Sequence, residues 1–290
     1  MLPFQRILAL ILAVLMNLGI WAPSSYEIKN VPEKNEDAVR IVSFNIRCKD
    51  DLYGSVENRS KLIVSAIKQY APDSFGVQEA TQDWIDIFNE NLGDEYGCVS
   101  QMRNGASNSE ASAVFYLKAK YDLLDSGTIW LSDTPEKFAS KFLLSSFPRI
   151  ATWVTLRDKT SGKVYTHINT HFDHVLEFIR EKQAKVLCDK IDELSKAGHP
   201  VFCTGDFNTN EGAKAYRVMT NVMADSKYVA VTSDSGATFT NYGKTNTDNP
   251  PIDFVFVPQG TKVDTYKIID EKISGMYLSD HAGLCVDLYI

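Results

Sequence analysis

The strongest restriction on the fold comes from several short apolar segments that each end on, or contain, a polar side chain. The segment VFCTGD at 201–206 begins with three apolar residues and reaches Asp206 directly after a glycine. Continuous apolar residues of this kind are typical of a strand whose sheet is covered on both faces. The same pattern places four more polar residues at or near strand ends: Asn45, Glu79, His171 and Asp253. Because strand ends of one sheet can converge on one crevice, the pattern predicts a shared polar site.

Predicted strands outnumber predicted helices, and several strands are expected to pair as hairpins. Apolar residues at helical spacing predict helices over 57–70, 81–92 and 176–198. Strands are predicted over 39–44, 74–78, 201–206, 252–257 and 283–290, as two strands within 151–172, and as several within 95–131. The Ser-, Thr-, Asn- and Gly-rich stretch 232–250 is predicted to be a long loop. This order predicts a mixed α/β fold rather than regular βαβ repeats.

The N-terminal region has a different composition from the rest of the chain. Residues 7–21 are almost wholly apolar, which is short for a membrane span of about 20 residues but fits a secretory signal. The cleavage site is poorly marked, so an uncleaved anchor stays open. We therefore expect residues 1–22 to be a signal peptide or an N-terminal membrane anchor, 23–38 to be a linker, and 39–290 to be the folded domain. The protein is expected to be secreted or attached to a membrane.

The charge of the chain bears on its partners. The formal net charge is -7 and the pI is about 5.3, whereas a protein that grips long nucleic acid usually carries a positive field. Nucleic acid is therefore not the favoured partner, although a bound cation could supply positive charge at a single phosphate. The five cysteines follow no metal-binding spacing and are expected in the core. We expect the protein to be a monomer.

The polar residues at the strand ends form a chemically coherent set. Asn45, Glu79 and the aspartates offer the hard oxygen ligands that Mg²⁺ or Mn²⁺ prefers. The histidines lack a zinc spacing such as H-E-x-x-H, and for His167 and His174 both a site role and a packing role stay open. A bound metal can neutralise a phosphate while an acid–base group prepares a water molecule. No nucleotide-binding glycine motif or G-x-S-x-G element competes with this interpretation.

Six sequence blocks occur in the order that one known family shows. They are SFNIR at 43–47, VQEA at 77–80, NTHFDH at 169–174, GDFNTN at 205–210, IDFVFV at 252–257 and SDH at 279–281. From about residue 39 to 290 the chain resembles the endonuclease/exonuclease/phosphatase superfamily, which includes DNase I and inositol-phosphate 5-phosphatases. Two further segments, LLDSGTIWLSDTP and PRIATWVTLRDKTSGK, resemble a bacterial branch of metal-dependent phosphoesterases. The resemblance implies a four-layer α/β sandwich, in which two packed mixed β-sheets are flanked by helices.

The resemblance also implies roles for individual residues. Glu79 is similar to the metal-binding glutamate and Asn45 to the asparagine beside it, and Asp280 is similar to an aspartate of the metal or water network. Asp206 resembles the aspartate that orients or deprotonates the attacking water. Asn208 resembles the asparagine that holds a phosphate oxygen. The implied cofactor is Mg²⁺ or Mn²⁺.

The remaining implied roles concern the phosphate. His281 is similar to the histidine that contacts the scissile phosphate, and Asp253 to the carboxylate that orients this histidine. His171 resembles the other phosphate-facing histidine. Arg103 and Arg149 are predicted to bind substrate, although packing or surface roles stay open for them. The predicted activity is hydrolysis of a phosphomonoester or phosphodiester; a nuclease and a non-catalytic binding protein on the same fold are the alternatives.

Overall fold

Two mixed β-sheets pack face to face in a computed structural model that describes residues 3–23 and 25–290. The helices are α1 (Pro3–Asn17), α2 (Val56–Tyr70), α3 (Gln82–Leu92), α4 (Glu177–Ser195), α5 (Lys214–Val222) and α6 (Ser226–Val229). The strands are β1 (Val39–Asn45), β2 (Ser74–Ala80), β3 (Tyr96–Val99), β4 (Ala111–Leu117), β5 (Tyr121–Trp130), β6 (Ile150–Asp158), β7 (Val164–His171), β8 (Val201–Asp206), β9 (Met223–Asp225), β10 (Ala230–Ser233), β11 (Asp253–Pro258), β12 (Val263–Ile269) and β13 (Gly283–Leu288).

The first sheet has seven strands in the order β10-β12-β13-β1-β2-β4-β3, and the second has six in the order β5-β6-β7-β8-β11-β9. An apolar layer that includes Val114, Tyr165 and Leu284 fills the space between the sheets. A second layer joins the first sheet to α2 and α3, and a third joins the second sheet to α4 and α5. Each sheet thus buries both of its faces, and the predicted four-layer α/β sandwich is confirmed.

The strand pairing brings the predicted site residues to one edge of each sheet. In the second sheet Asp206 lies opposite His171 of the parallel strand β7 and opposite Asp253 of the antiparallel strand β11. In the first sheet β1 and β2 are parallel, and Asn45 pairs with Gln78, next to Glu79. Since neighbouring parallel strands end at the same edge of a sheet, the side chains at their ends lie close together. The strand pairing alone therefore positions these side chains.

The predicted elements are found within a few residues of their expected bounds, but four small elements and one strand were missed. Helix α5, strand β9, helix α6 and strand β10 fill the segment 214–233, and β12 precedes the last strand. Helix α4 ends at Ser195 rather than at Gly198. The short elements bury few side chains of their own, so their local sequence carries little periodic signal.

The N-terminal helix packs on the domain through one of its faces. Ala9, Ala13 and Met16 are buried, and Asn17 Oδ1 accepts a hydrogen bond of 3.0 Å from the backbone N–H of Ser55. Several large apolar side chains of the helix are exposed: Phe4, Ile7, Leu8, Ile11 and Val14. Within residues 3–23 and 25–290, no helix combines the length and apolarity needed to cross a membrane. The predicted division of the chain near residues 22 and 38 stays a prediction.

Candidate active site

Asp206 lies at the centre of the polar residues that end the strands. It is 1% exposed, and its Oδ2 accepts a hydrogen bond of 2.9 Å from Asn45 Nδ2. The Nε2 atoms of His171 and His281 lie 3.5 and 3.8 Å from the same oxygen. Its Oδ1 accepts a hydrogen bond of 2.9 Å from the backbone N–H of Asn208. The structure therefore brings four other predicted site residues close to the carboxylate of Asp206.

A second carboxylate controls the charge of this centre. His281 Nδ1 lies 2.9 Å from Asp253 Oδ2. Burial lowers the pKa of His281, but the neighbouring Asp253 carboxylate outweighs it and raises the pKa to about 10. Burial and the charge of Asp253 raise the pKa of Asp206 to about 7. The site thus combines a protonated imidazole with a carboxylate of unusually high basicity, and shifted pairs of this kind are typical of acid–base sites.

Glu79 reaches the site through a local distortion of its strand. The register between β2 and β4 shifts between Val77 and Ala80, and Glu79 has a φ of 63°, which non-glycine residues rarely adopt. Its Oε1 accepts a hydrogen bond from Asn45 Nδ2 at 3.2 Å, and its Oε2 accepts one from the Cys48 N–H at 2.9 Å. Burial raises the pKa of Glu79, but these hydrogen bonds and nearby positive charge bring it below the usual value. Glu79 is therefore a carboxylate at neutral pH.

Asp280 faces the same region from the loop before β13. Its Oδ2 lies 3.4 Å from Arg47 Nη1, and the preceding Ser279 Oγ donates a hydrogen bond of 2.7 Å to the Asn45 carbonyl. The backbone carbonyl of Asp280 accepts hydrogen bonds from Thr240 and from the residue after it, in the long polar loop. These contacts fix the carboxylate of Asp280 beside the ends of the first sheet.

The oxygen donors fit a hard divalent cation. Glu79 is half-buried and Asp280 is buried. Among the described residues, Arg47 is the one guanidinium within ion-pair distance of either carboxylate, at 3.4 Å from Asp280 Oδ2. Asn45 presents its amide nitrogen to Glu79 and Asp206, while its Oδ1 accepts from the Arg47 N–H at 3.1 Å. A direct metal-ligand role for Asn45 stays a prediction.

Another group of potential ligands lies nearby. Within the described part of the chain, Asp206, Asp253 and His281 each place one ligand atom within 4.8 Å of the others. His281 and Asp253 are already hydrogen-bonded to one another, so this group is better arranged for proton transfer than for holding a hard cation.

The two predicted substrate-binding arginines lie beside His171. Arg103 Nη1 and Nη2 donate to the Glu110 carboxylate at 2.8 and 3.0 Å. Arg149 is 4% exposed, and its Nη2 lies 3.2 Å from His174 Nδ1. Burial and the charge of Arg103 lower the pKa of Arg149 to about 10, so the guanidinium stays charged at neutral pH. Both arginines line one small pocket together with His171.

Two residues near His171 have structural contacts instead. His167 is buried between the sheets and lies 2.9 Å from Ser74 Oγ and 2.8 Å from Thr204 Oγ1. Asp173 accepts hydrogen bonds from the N–H groups of Ser146 and Val175 at 2.8 and 2.9 Å. It therefore ties the loop before β6 to the start of α4.

Several contacts of the site were not predicted from the sequence. Arg47 and Ser279 lie inside the quoted blocks SFNIR and SDH, and these blocks could have pointed to them. The loop 234–252 also closes on the site, since the Ala282 N–H donates to the Thr238 carbonyl at 2.7 Å. The ring centroid of Phe239 lies 5.0 Å from that of His281. The loop composition gave no sign of this packing.

The sandwich and the convergent acid–base site agree with what the comparisons show, a hydrolase of phosphate esters. Residues 42–281 match the endonuclease/exonuclease/phosphatase family, and the chain belongs to this family. No curated protein matches the chain significantly.

Solved structures agree with this assignment. The chain is 32% identical to the endonuclease/exonuclease/phosphatase from Bacteroides vulgatus, with a TM-score of 0.81 over 87% of this chain and 99% of that one. It is 26% identical to the mannosyl-6-phosphatase Bt3783 of Bacteroides thetaiotaomicron, with a TM-score of 0.79 over 87% and 100% of the two chains. The D. rerio TDP2, solved with a single-strand DNA product, shares the fold at 19% identity and a TM-score of 0.71, over 88% and 100%.

Proposed function

We propose that this protein is a divalent-metal-dependent phosphoesterase in which Asp206 activates the attacking water. The observation that carries the proposal is the convergence of Asn45, His171 and His281 on Asp206 Oδ2 within 3.8 Å. A general base works best when its pKa lies near the working pH, and the pKa of Asp206 is about 7. Asp206 is therefore suited to accept the proton of the water.

The histidines have different roles because their charges differ. Protonated His281, held by Asp253 at 2.9 Å, stabilises negative charge on a phosphate oxygen as the reaction proceeds. Burial, Arg149 and Arg103 keep the pKa of His171 well below its usual value. His171 is therefore neutral and acts as a hydrogen-bonding group on the phosphate.

Glu79 and Asp280, with Asn45 beside them, would hold the cation, which is Mg²⁺ or Mn²⁺ in this proposal. When bound, the cation neutralises charge on the phosphate. Asn45 lies between the carboxylates of Glu79 and Asp206, and its Nδ2 donates a hydrogen bond to each of them, at 3.2 and 2.9 Å. In this way Asn45 fixes the metal-binding carboxylate beside the carboxylate that activates the water. Asn208 donates to the Phe172 carbonyl at 3.2 Å, and its second amide hydrogen is proposed to contact a phosphate oxygen.

The substrate is proposed to be the phosphate ester of a small molecule. The similarity to a mannosyl-6-phosphatase supports a sugar phosphate, and the net charge of -7 disfavours a long polyanion. A nuclease is the second candidate.

The purified chain should be tested with mannose 6-phosphate, p-nitrophenyl phosphate, bis(p-nitrophenyl) phosphate and plasmid DNA. Assays with Mg²⁺, with Mn²⁺ and with EDTA should run in parallel. We expect metal-dependent release of product from a small ester and loss of activity in EDTA. Activity on plasmid DNA alone would favour the nuclease, and no activity on any substrate would contradict the proposal.

We also propose that residues 1–22 export the chain or attach it to a membrane. The apolar composition of 7–21 supports this. Fractionation of cells of the native host should find the protein outside the soluble cytoplasm. A full-length chain found only in the soluble cytoplasm would contradict the proposal.

A further inference from the structure

Arg149 carries a buried charge that lacks a counter-ion. Its residue is 4% exposed, and no carboxylate within residues 3–23 and 25–290 lies within ion-pair distance of it. Its Nε and Nη1 are buried without a hydrogen-bond partner among these residues, and only Nη2 has one, His174 Nδ1 at 3.2 Å. An unpaired buried charge is costly for a fold. A guanidinium in this state indicates a bound anion.

The neighbouring acidic groups are already engaged. Both oxygens of Glu110 accept from Arg103, at 2.8 and 3.0 Å, and the guanidinium of Arg103 lies 4.5 Å from the ring centroid of Phe147. Asp173 accepts from the N–H groups of the two loops that it joins. Among the residues that line the pocket, the carboxylate of Glu110 balances the charge of Arg103, and the charge of Arg149 stays unpaired.

The pocket has the size of one phosphate oxygen. Its polar lining includes Arg103, Glu110, Arg149 and His171, and its volume is about 10 Å³. That space admits about one water-sized group. A terminal oxygen fits there, whereas an oxygen that carries an ester substituent does not.

We propose that Arg149, supported by Arg103, binds a terminal oxygen of a phosphomonoester dianion and makes this enzyme select monoesters over diesters. The inference rests on the proposed phosphoesterase function and narrows its substrate class. A monoester carries a charge of about −1.5 to −2 at neutral pH and three terminal oxygens, whereas a diester has one charge and two such oxygens. In this proposal the side chains around Asp206, together with the cation when it is bound, would contact two of these oxygens, and the pocket of Arg149 would take the third. In a diester, that third position carries a substituent.

The test compares p-nitrophenyl phosphate with bis(p-nitrophenyl) phosphate, which share a leaving group, on the full chain with Mg²⁺. The wild type is expected to favour the monoester in kcat/KM. In Arg149→Gln, kcat/KM for the monoester should fall about 100-fold, and that for the diester by less than about fivefold. Arg149→Lys keeps the positive charge but has fewer N–H donors. It should therefore lower the monoester-to-diester ratio of kcat/KM by less than Arg149→Gln does.

Arg157→Gln is the matched control. Arg157 lies on β6, the strand that begins directly after Arg149. It forms an ion pair of 2.9 Å with Asp122 at the exposed surface. In this variant the ratio of kcat/KM for the monoester to kcat/KM for the diester should stay at the wild-type value. Binding of inorganic phosphate, measured by calorimetry without turnover, should weaken in Arg149→Gln and not in Arg157→Gln.

The outcomes separate the two proposals. A wild type that is inactive on both esters, on mannose 6-phosphate and on plasmid DNA would contradict the proposed function. A wild type that is active on mannose 6-phosphate but not on these two esters would keep the function, and phosphate binding by Arg149→Gln would then decide the inference. An active wild type that prefers the diester would overturn the inference and leave the function intact, even if Arg149→Gln failed to fold. Equal losses on both esters in folded Arg149→Gln, with unchanged phosphate binding, would also overturn it.

Discussion

Two groups of polar residues are buried in the sandwich, and they differ in how completely they are hydrogen-bonded. One group lies between the sheets and is called here the inter-sheet network: Ser43, Ser74, Gln78, His167, Asn169 and Thr204. The other is the candidate active site around Asp206. Both contain histidine and amide side chains, and both connect the same two sheets.

The inter-sheet network is nearly closed. Asn169 Nδ2 donates to the carbonyls of Val77 and Ala113 at 3.0 Å each, and its Oδ1 accepts from Gln78 and Thr204. Gln78 Oε1 is the exception, without a partner in the described part of the chain. Burial lowers the pKa of His167 to about 3, so its ring is neutral. This network fixes the sheets relative to one another.

The active site leaves more of its polar groups open. Asp253 Oδ1 and two nitrogens of Arg149 lack partners among the described residues. Arg47, Glu79 and Asn208 have positive φ values of 61°, 63° and 47°. Unpaired polar groups and strained backbone cost stability and persist where function needs them. The candidate active site and the inter-sheet network are both polar. They differ in the number of buried polar atoms that have no hydrogen-bond partner among the described residues.

A large effect on activity is predicted for the His281–Asp253 pair. His281→Gln and Asp253→Asn should each lower kcat/KM by about 10² or more. The double variant should lose much less than the product of the two losses, because either change removes the same protonated imidazole. A double-mutant cycle of kcat/KM measures this. Strictly multiplicative losses would show that the two residues act independently.

A smaller effect is predicted for Glu79→Gln, which keeps the side-chain shape but removes the negative charge. The Mg²⁺ concentration for half-maximal activity should rise about tenfold or more. The exposed Glu90 on α3 offers a control, Glu90→Gln, with an unchanged midpoint. If both variants titrate like the wild type, the cation is held elsewhere.

The smallest effect on activity is predicted for Asn169→Ala in the inter-sheet network. The change removes four buried hydrogen bonds, two to the carbonyls of Val77 and Ala113 and two to the side chains of Gln78 and Thr204. The free energy of unfolding should therefore fall by about 3 kcal/mol. The folded fraction should keep kcat/KM within about threefold of the wild type. Urea denaturation and an activity assay on the same sample test this. Normal stability with lost activity would place Asn169 in the site.

Much of the site could be predicted because its residues end predictable strands. Asp206 follows one apolar segment, and Asn45 ends another. This local pattern was enough to predict that both residues lie at strand ends. The resemblance to the family then supplied Asn208 and His281, which have no strand pattern of their own.

Other contacts could not be predicted, because they join distant segments. Ser279 bonds to the Asn45 carbonyl across 234 positions of the chain. His167 carries the same chemistry as His171, and only its position between the sheets separates a structural role from a site role. That no carboxylate of the described residues pairs with Arg149 likewise depends on where Glu110 and Asp173 place their oxygens.

The most direct measurement compares two residues of β8 that are two positions apart. Asp206 lies at the centre of the candidate active site, whereas Thr204 Oγ1 donates to Asn169 Oδ1 at 3.0 Å in the inter-sheet network. Activity and thermal stability should be measured for Asp206→Asn and Thr204→Val. Asp206→Asn should lose about 10² to 10⁴ in rate with its Tm retained, and Thr204→Val should keep its activity within about threefold with a lower Tm. An Asp206→Asn variant that keeps more than about half of the wild-type rate would contradict the account.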